Sequence, residues 1–480
     1  MNSFYYDSHD IVKFLGQRKG LNMRSQKASK IRGKSTERYS RKEFGTRDQY
    51  EEEAVPQFKP NSKAKREAIV QGFSKLWESL WTSSVHLDSA LSKLPPQTKS
   101  ILAQLLPSIL MRPVSQAEAL GVGVPSGEPW SLNPQNLGQW RPAPLMMERM
   151  YELMTQGNPS VDPVRGDFPE EMLKEWESSW GIDCVRHLVD TLGRPAPLSL
   201  RANREFGVED LIQGLKSDAQ IAVRIEPSSF APLGVRLSGY APVLKSELYQ
   251  KGAFEIQDEG SQWMALFALW PERFGSVLSE KPMSVGVSQL RFDSLPRFKS
   301  SLTVVDACAG AGGKSLAIAD ALGGKGKVFA YDISVKKLQA LKRRASKTQL
   351  RNIHVAPVTE GAEEAHVEKF KNTADIVLVD APCSGWGVLR RNPDIKWRQS
   401  KEVLERMPQV QARLLSVYSR LVAPGGRLVF GVCTFRLAET RDIVRDFLVK
   451  HPEFAAQEGG FFGPGPCDGF FMQSFTRNSG

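Results

Sequence analysis

The sequence lacks the paired cysteines that mark a disulfide framework or a zinc site. Only five cysteines occur in 480 residues, and no two of them form a C-x-x-C pair, so neither kind of cross-link is expected. No apolar run is long enough to cross a bilayer, and residues 1–20 lack the apolar segment of a secretory signal. We therefore expect an intracellular, cytoplasmic protein without membrane or metal partners, whose thiols are buried or reactive.

Acidic residues are fewer than basic ones. Lys and Arg total 64 against 53 Asp and Glu, which gives a net charge of +11. Such an excess attracts polyanions, because binding to a phosphate backbone releases counterions, and nucleic acid is therefore a candidate partner. Part of the excess lies in residues 13–47, where Glu37 and Glu43 are the only acids. This stretch is interpreted as a disordered tail, with a specific RNA-binding arm as the alternative.

The length predicts two or three folding units. Near the C-terminal end, apolar runs such as TVVDACAG, KVFAYDIS, ADIVLVDAP and GGRLVFGVC alternate with helical segments. This alternation predicts a parallel sheet covered by helices on both faces. The predicted units are a basic tail at 1–67, a helical module at 68–155, a small α+β unit at 156–243 and an α/β domain at 244–480.

A loop of small residues follows the first strand of this α/β domain. In VVDACAGAGGKS the chain leaves the strand at Asp306 and enters a helix after Gly312 and Gly313, and small residues let the backbone approach a ligand at a helix N-terminus. The next strand ends at Asp332, placed to accept hydrogen bonds from ribose hydroxyls. A dinucleotide or adenosyl cofactor is favoured, with a tight turn and a helix cap as the structural alternatives.

Two cysteines stand where strands of this domain end. Cys383 lies in VLVDAPCSG and Cys433 in LVFGVCTF, and ligands of open parallel sheets bind beyond the carboxyl ends of the strands. If the two strands are neighbours, both thiols face one pocket beside the cofactor. A thiol whose pKa is lowered there becomes a nucleophilic thiolate. Two buried structural cysteines remain the alternative.

The segment DAPCSGWGVLRRNPDIKWR, residues 380–398, resembles the signature of the Sun-type RNA cytosine-5 methyltransferases. This family includes bacterial RsmB-like and eukaryotic Nop/Sun-like enzymes. Further similar segments occur in order along the chain, namely FEIQDEGSQW, DACAGAGGKS, YDIS, APGGRLVFGVCTF with AET after it, and DGFF. The resemblance implies a Rossmann-like, class I methyltransferase domain that uses S-adenosylmethionine, preceded by a small RRM-like α+β unit.

The resemblance also implies a role for each thiol. Cys433 is expected to attack carbon 6 of a cytosine, and Cys383 to help remove the proton from carbon 5. Asp380 is expected to hold the pyrimidine edge near the methyl donor. Glu360 is expected to replace the Asp that relatives often have near the adenine. The residues expected to bind the cofactor are Cys308, Ala309, Gly310, Ala311, Gly312, Gly313, Lys314, Asp332, Glu360 and Asp380.

Four cations are predicted to contact RNA. The target base must be single-stranded or flipped out, so a basic surface should hold the backbone nearby. Arg390, Arg391 and Lys396 follow the cysteine turn directly, with surface ion pairs as the alternative, and Arg201 is added by the resemblance to the RRM-like unit.

The substrate is expected to be RNA, and the chain is expected to be a monomer. A similarity of residues 68–154 to the NusB-like domain of RsmB-type enzymes favours ribosomal RNA over transfer RNA. The alternative functions are a non-catalytic RNA-binding assembly factor that keeps the fold, and methylation of DNA or a small molecule.

Overall fold

The computed structural model describes residues 167–283 and 301–479, apart from positions 230, 239, 240, 276 and 466, together with four isolated positions before residue 95. The predicted basic tail and the predicted helical module therefore lie outside the described ranges. Among the helices of the described part, none is long and apolar enough to cross a membrane.

Two short helices open the described chain, α1 (Glu170–Trp180) and α2 (Ile182–Leu192). Pro169 precedes α1 and Gly181 follows it, as the sequence predicts for a helix with such flanks. The apolar faces of both helices pack into the core of the large sheet described below. For example, the rings of Trp176 and Trp386 lie 5.9 Å apart, edge to face. These helices lie within the range predicted for the small unit, but their buried apolar side chains pack in the core of the large domain.

The small unit, residues 198–256, is a four-stranded antiparallel sheet with helices on one face. Its strands have the spatial order β2-β3-β1-β4, which is that of a split β-α-β-β-α-β arrangement. The last strand lies beyond the predicted boundary at residue 243, because Phe254 fills the core of this sheet. The elements are β1 (Leu198–Ala202), α3 (Val208–Lys216), β2 (Arg224–Pro227), β3 (Gly234–Ser238), α4 (Glu247–Gln250) and β4 (Phe254–Ile256).

The large domain comprises the described residues from 259 onward. Its first elements are α5 (Glu259–Leu269), β5 (Leu302–Asp306), α6 (Gly313–Ala321), β6 (Gly326–Asp332), α7 (Val335–Lys347), β7 (Ile353–Pro357) and α8 (Glu363–Lys369). They are followed by β8 (Ala374–Asp380), α9 (Ile395–Arg398), α10 (Lys401–Ser419), β9 (Val422–Val432), α11 (Arg441–Lys450), β10 (Phe454–Phe462) and β11 (Phe470–Arg477).

These strands form one seven-stranded sheet with the order β10-β11-β9-β8-β5-β6-β7. The five strands from β9 to β7 are parallel, as predicted. Two further strands extend the sheet at one edge, where β11 runs antiparallel to both β9 and β10. The connection between β10 and β11 is too short for a crossover, so these two strands can pair only in antiparallel fashion.

Helices cover both faces of the large sheet, because successive side chains of each strand point to opposite faces. Val304, Leu378 and Val429 pack in one apolar cluster with α5 and α6. Val305, Val377 and Phe430 pack in the other cluster with α1, α10 and α11. The architecture is a Rossmann-like α/β sheet, and the carboxyl ends of β5, β6, β8 and β9 meet along one edge.

The small unit contacts the large domain with the face of its sheet that carries no helix. This face is charged, and each charge meets an opposite charge of the large domain. Arg201 Nη1 lies 2.6 Å from Asp320 Oδ2 in α6, and Arg344 Nε of α7 lies 2.8 Å from Glu255 Oε2 in β4. Buried ion pairs of this kind fix orientation, because breaking one leaves a desolvated charge.

Candidate active site

Two thiols meet at the carboxyl edge of the large sheet. β8 and β9 are parallel neighbours, with Asp380 paired to Gly431, and Cys383 and Cys433 follow directly after these strands. Their sulfur atoms lie 3.4 Å apart, and both residues are partly exposed. The expectation that the two thiols share one site is met by this geometry.

The turns that carry the thiols are tied together by hydrogen bonds. The Gly387 amide donates to the carbonyl of Cys433 at 2.9 Å, and the hydroxyls of Ser384 and Thr434 lie 2.6 Å apart. A side chain at position 387 has no room, since its Cβ would lie 2.0 Å from the Gly469 carbonyl oxygen. Glycine at this position therefore lets the turn approach both neighbouring segments.

A buried ion pair lies beside the thiols. Lys314 Nζ is 2.5 Å from Asp380 Oδ2, and Lys314 also lies over the ring of Phe470, 5.7 Å from its centroid. Burial alone would lower the pKa of Lys314, but Asp380, together with weaker attraction from Cys433 and Asp306, raises it above its usual value. Lys314 is thus a cation held beside Asp380 and within electrostatic reach of Cys433.

The surroundings of Cys383 disfavour its thiolate form. Its hydrogen bond to Cys433, its burial, and the negative charges of Cys433 and Glu439 raise the pKa of the Cys383 thiol well above its usual value. In a close pair of thiols the protons come off in two steps, because the first negative charge opposes the second. The site can therefore hold one thiolate and one thiol side by side.

The loop of small residues after β5 forms the neighbouring part of this edge. Gly310 and Gly312 have the positive φ angles of 55° and 87° that favour glycine, and a side chain on Gly310 would meet open space. The Gly310 amide donates to Asp332 Oδ2 at 2.8 Å, and the Ser334 amide donates to Asp332 Oδ1 at 2.7 Å. Asp332 therefore joins the loop to Ser334, which is itself the N-cap of α7, and ribose binding by Asp332 stays a prediction.

Two carboxyl groups at this edge have an oxygen without a hydrogen-bond partner. Asp306 accepts a hydrogen bond from Ser315 Oγ at 2.6 Å through Oδ2, whereas its buried Oδ1 has none. Burial raises the pKa of Asp306 to about 7, although the bond to Ser315 opposes the shift. Glu360, just beyond β7, likewise has a buried Oε2 without a partner. Unpaired buried oxygens are costly, so a donor from a bound ligand would stabilise them.

Sequence reasoning missed two acids of this region, Asp306 and Glu439. Asp306 ends an apolar strand immediately before the small-residue loop, and that position was a usable signal. Glu439 lies in the AET segment that resembles the family, but no role was assigned to it, because its contacts to the turn after β8 lie 55 residues away along the chain.

Two of the four cations predicted to contact RNA are buried, which corrects that prediction in this conformation. Arg201 is paired with Asp320 and also donates to Gln257 Oε1 at 2.9 Å. Lys396 is only 1% exposed, and its Nζ donates to the Asp167 carbonyl at 2.6 Å. Both cations hold segments of the chain together because burial without a partner would be too costly.

The other two predicted cations are partly exposed but also make internal contacts. Arg390 donates to the carbonyl oxygens of Arg194, Pro195 and Gly465. Arg391 binds two carboxylates, with Nη2 2.6 Å from Asp258 Oδ2 and Nε 2.8 Å from Asp468 Oδ2. Contact of Arg390 and Arg391 with RNA stays a prediction.

The fold and the site together define a Rossmann-like domain with a ligand loop after its first strand and a thiol pair at the same sheet edge. Residues 297–467 match the family model described as 16S rRNA methyltransferase RsmB/F. This segment of the chain is therefore similar to the RsmB/F methyltransferases, as the motifs predict.

Relatives and solved structures agree with this assignment. The chain is 31% identical, over 315 residues, to a probable ribosomal RNA small subunit methyltransferase B of Bacillus subtilis. The aligned region covers 64% of this chain and 63% of the relative. The chain thus spans less than two thirds of the length of that relative. Among solved structures, the protein PH0851 has a TM-score of 0.59 at 21% identity and covers 85% of this chain and 98% of its own. NSun6 from Pyrococcus horikoshii, solved with SFG, has a TM-score of 0.53 at 16% identity and covers 65% and 99%. These likenesses show that the fold is shared.

Proposed function

We propose that this protein is an S-adenosylmethionine-dependent RNA cytosine-5 methyltransferase that acts through a covalent adduct between Cys433 and carbon 6 of the target base. The observation that carries the proposal is the 3.4 Å separation of the Cys383 and Cys433 sulfur atoms at the mouth of β8 and β9. A structural pair of thiols has no need of partial exposure or of an adjacent buried cation. This site has both.

The residues at the sheet edge fit an adenosyl cofactor. The loop at 308–314 leaves open space at Gly310, and Asp332 ends β6, where a carboxylate can accept bonds from ribose hydroxyls. The unpaired Oε2 of Glu360 suits the amino group of the adenine, and Lys314 suits the carboxylate of the methionine. When bound, S-adenosylmethionine supplies a methyl group on a sulfonium, and the bond from sulfur to this methyl breaks as carbon 5 takes the methyl.

The thiols divide the remaining chemistry. The Cys433 thiolate adds to carbon 6, and the electron pair of the 5,6 double bond makes carbon 5 nucleophilic. Asp380 orients the pyrimidine edge beside the Lys314 ammonium. After methylation, Cys383 as thiolate takes the proton from carbon 5, the double bond re-forms, and the electron pair of the carbon–sulfur bond returns to Cys433.

The change in charge at Cys433 sets the order of these steps. The hydrogen bond and the charge of Cys433 are among the causes that raise the pKa of Cys383. Once Cys433 is bound to carbon 6 as a thioether, that negative charge is gone, and the pKa of Cys383 falls. Cys383 is thus protonated during the attack and can ionise more easily for the release.

Ribosomal RNA is the proposed substrate, because the relative in Bacillus subtilis is named for methylation of small-subunit ribosomal RNA. We propose that the small unit is RRM-like in strand order, but the helix-free face of its sheet is covered by the large domain. RNA would then approach the edges of this unit and the mouth of the thiol site. Transfer RNA is the alternative substrate, and a non-catalytic RNA-binding factor is the alternative function.

Methyl transfer to RNA tests the proposal. With unmethylated ribosomal RNA and labelled S-adenosylmethionine, we expect Cys433→Ala to lower the rate by more than about 1,000-fold, since only binding and orientation would remain. Cys467→Ala, which removes a buried thiol outside the site, is the control and should keep most activity. Bisulfite sequencing of RNA from cells with and without the gene identifies the base. Full activity of Cys433→Ala would refute the mechanism, and cofactor-independent RNA binding alone would favour the non-catalytic factor.

A further inference from the structure

Glu439 is a fully buried carboxylate close to the thiols. It lies in the short helical turn Leu437–Glu439 that follows β9 and Cys433, and none of its surface is exposed. Acidic side chains are almost never fully buried without partners, so its contacts indicate what it stabilises.

Both oxygens of Glu439 accept hydrogen bonds, and one oxygen reaches the other thiol turn. Oε2 accepts from the Ser384 amide at 2.8 Å and from Gln411 Nε2 at 2.8 Å. The same Gln411 nitrogen donates to the Pro382 carbonyl at 2.8 Å. The residues on either side of Cys383 are therefore held by Glu439, directly at one side and through Gln411 at the other.

The second oxygen connects Glu439 to its own loop. Oε1 accepts from Arg436 Nη1 at 3.1 Å, and Arg436 Nε also binds Glu175 Oε1 of α1 at 2.8 Å. One carboxylate thus bridges the turn after β8 and the turn after β9, the two segments whose spacing sets the distance between the sulfur atoms.

We propose that Glu439 is a positioning residue that fixes the turn carrying Cys383 against the turn carrying Cys433. The inference deepens the proposed function, on which its consequence for product release rests. Glu439 contacts neither sulfur atom nor substrate in any hydrogen bond of the described residues. It acts through the backbone of Ser384 and Pro382, and its main effect falls on the later step, which depends on Cys383.

Charge supports this role. The titratable groups that act on Cys383 are Cys433 and Glu439, both of which raise its pKa, while Arg436 partly offsets the charge of Glu439. Removing the carboxylate therefore both loosens the turn and increases the fraction of Cys383 present as thiolate. Both changes make Cys383 more reactive towards a small alkylating agent.

A simpler interpretation is that Glu439 only neutralises the buried Arg436. Glu175 separates the two interpretations, because it pairs with the same guanidinium but does not contact the turn of Cys383 in the described structure. Glu439→Gln and Glu175→Gln each remove one negative charge beside Arg436 while keeping the size of the side chain. Only the first change reaches the turn of Cys383.

The experiment measures alkylation of each cysteine by iodoacetamide at fixed pH, resolved by peptide mass spectrometry, in the full chain without RNA. We expect Glu439→Gln to raise the rate at Cys383 about tenfold, which corresponds to one unit in the pKa of a thiol, while Glu175→Gln leaves it near that of the unchanged protein. Melting temperatures of both variants control for general loosening. Equal Cys383 rates in the two variants would overturn the proposal.

A second measurement links the inference to turnover. With RNA and S-adenosylmethionine, Glu439→Gln should accumulate a covalent protein–RNA adduct on denaturing gels, because a displaced Cys383 no longer reaches the proton on carbon 5 even when it is ionised, and Glu175→Gln should not. If the alkylation rates differ but no variant, including Cys383→Ala, ever forms an adduct, then the positioning role stands and the proposed reaction is wrong. If adducts form equally in both variants, the role of Glu439 in release is refuted.

Discussion

The carboxyl edge of the large sheet and the interface beneath the small sheet both collect charged side chains, and they use them in different ways. At the interface, Arg201, Arg236 and Arg344 are each bound to a carboxylate. At the sheet edge, Asp306 and Glu360 each keep an oxygen without a partner, and two thiols lie in contact. Ion pairing stabilises the arrangement of the units, even though Glu255 Oε1 at the interface also lacks a hydrogen-bond partner. Asp306 and Glu360 instead lie at the carboxyl edge of the strands, where ligands of open parallel sheets bind.

This difference also separates two kinds of cation near the signature motif. Lys314 faces the thiols and is paired with Asp380, which belongs to the site. Lys396 and Arg201 lie in or near motifs of the same family but serve the packing of the chain. Proximity to a motif in sequence is therefore a weak guide to contact with substrate, and burial decides the role.

The largest expected effect is a loss of stability when an ion pair of the interface is broken. Arg201→Ala leaves Asp320 buried without its cation, so we expect the free energy of unfolding to fall by about 3–5 kcal/mol. Arg224→Ala removes an exposed pair with Glu226 and should cost less than about 1 kcal/mol. Urea unfolding of both variants provides the comparison. If Arg201 binds RNA instead, its variant would keep its stability and show a smaller salt dependence of RNA binding.

The next largest effect is a loss of activity when the turn after Cys383 is displaced without removal of a reactive group. In Gly387→Ala the added Cβ would lie 2.0 Å from the Gly469 carbonyl oxygen, so the turn after Cys383 must move. A displacement of about 1 Å in an active site costs about 100-fold in rate, and we expect the rate of methyl transfer to fall by that factor. Gly324→Ala, whose Cβ meets nothing within 4 Å, adds only local backbone strain at a φ of 77° in the turn before β6, and its rate of methyl transfer should stay within a few-fold. Similar activities for the two variants would show that the spacing of the turns does not matter.

The smallest expected effect is the pH dependence of the free energy of unfolding that Asp306 causes at the sheet edge. Because the pKa of Asp306 is raised from 3.8 to about 7, the folded protein holds a proton between about pH 4 and 7 that the unfolded chain has lost. The contribution of Asp306 to the free energy of unfolding is therefore complete below about pH 4 and is lost as the pH rises through 7. The free energy of unfolding falls by at most about 1.4 kcal/mol for each pH unit in this range.

Asp306→Asn removes this titration. The difference in the free energy of unfolding between the unchanged protein and the variant should therefore decline from pH 4 to 7 and level off above 7. The measurement is urea unfolding of both proteins at several pH values. A difference that is constant over this range would mean that Asp306 is ionised in the folded protein throughout.

The centre of the fold was predictable from the sequence because its strands are continuous apolar runs that end in small or polar residues. β10 was not predicted, since AAQEGG in its middle is polar and lies at the sheet edge. β4 was missed because it has only three residues, and it belongs to the small unit through its pairing with β1 and the packing of Phe254. Edge and boundary strands depend on what they pack against, which the local sequence does not contain.

The thiol site was predictable in outline, and its supports were not. Cys383 and Cys433 follow apolar strands, so their placement at a sheet edge could be inferred, and the resemblance to the family supplied their roles. The partner of Arg201 lies 119 residues away, and the partner of Lys396 lies 229 residues away. No local pattern reveals that such cations are buried, which is why their assignment to RNA failed.

The covalent adduct tests the central claim of two thiols with separate roles at one base. Cys383→Ala, incubated with substrate RNA and S-adenosylmethionine, should retain RNA through denaturation, with the bond located by mass spectrometry on the peptide that contains Cys433. The double variant Cys383→Ala/Cys433→Ala should retain none. An adduct located on any residue other than Cys433, or one that survives in the double variant, would contradict the account.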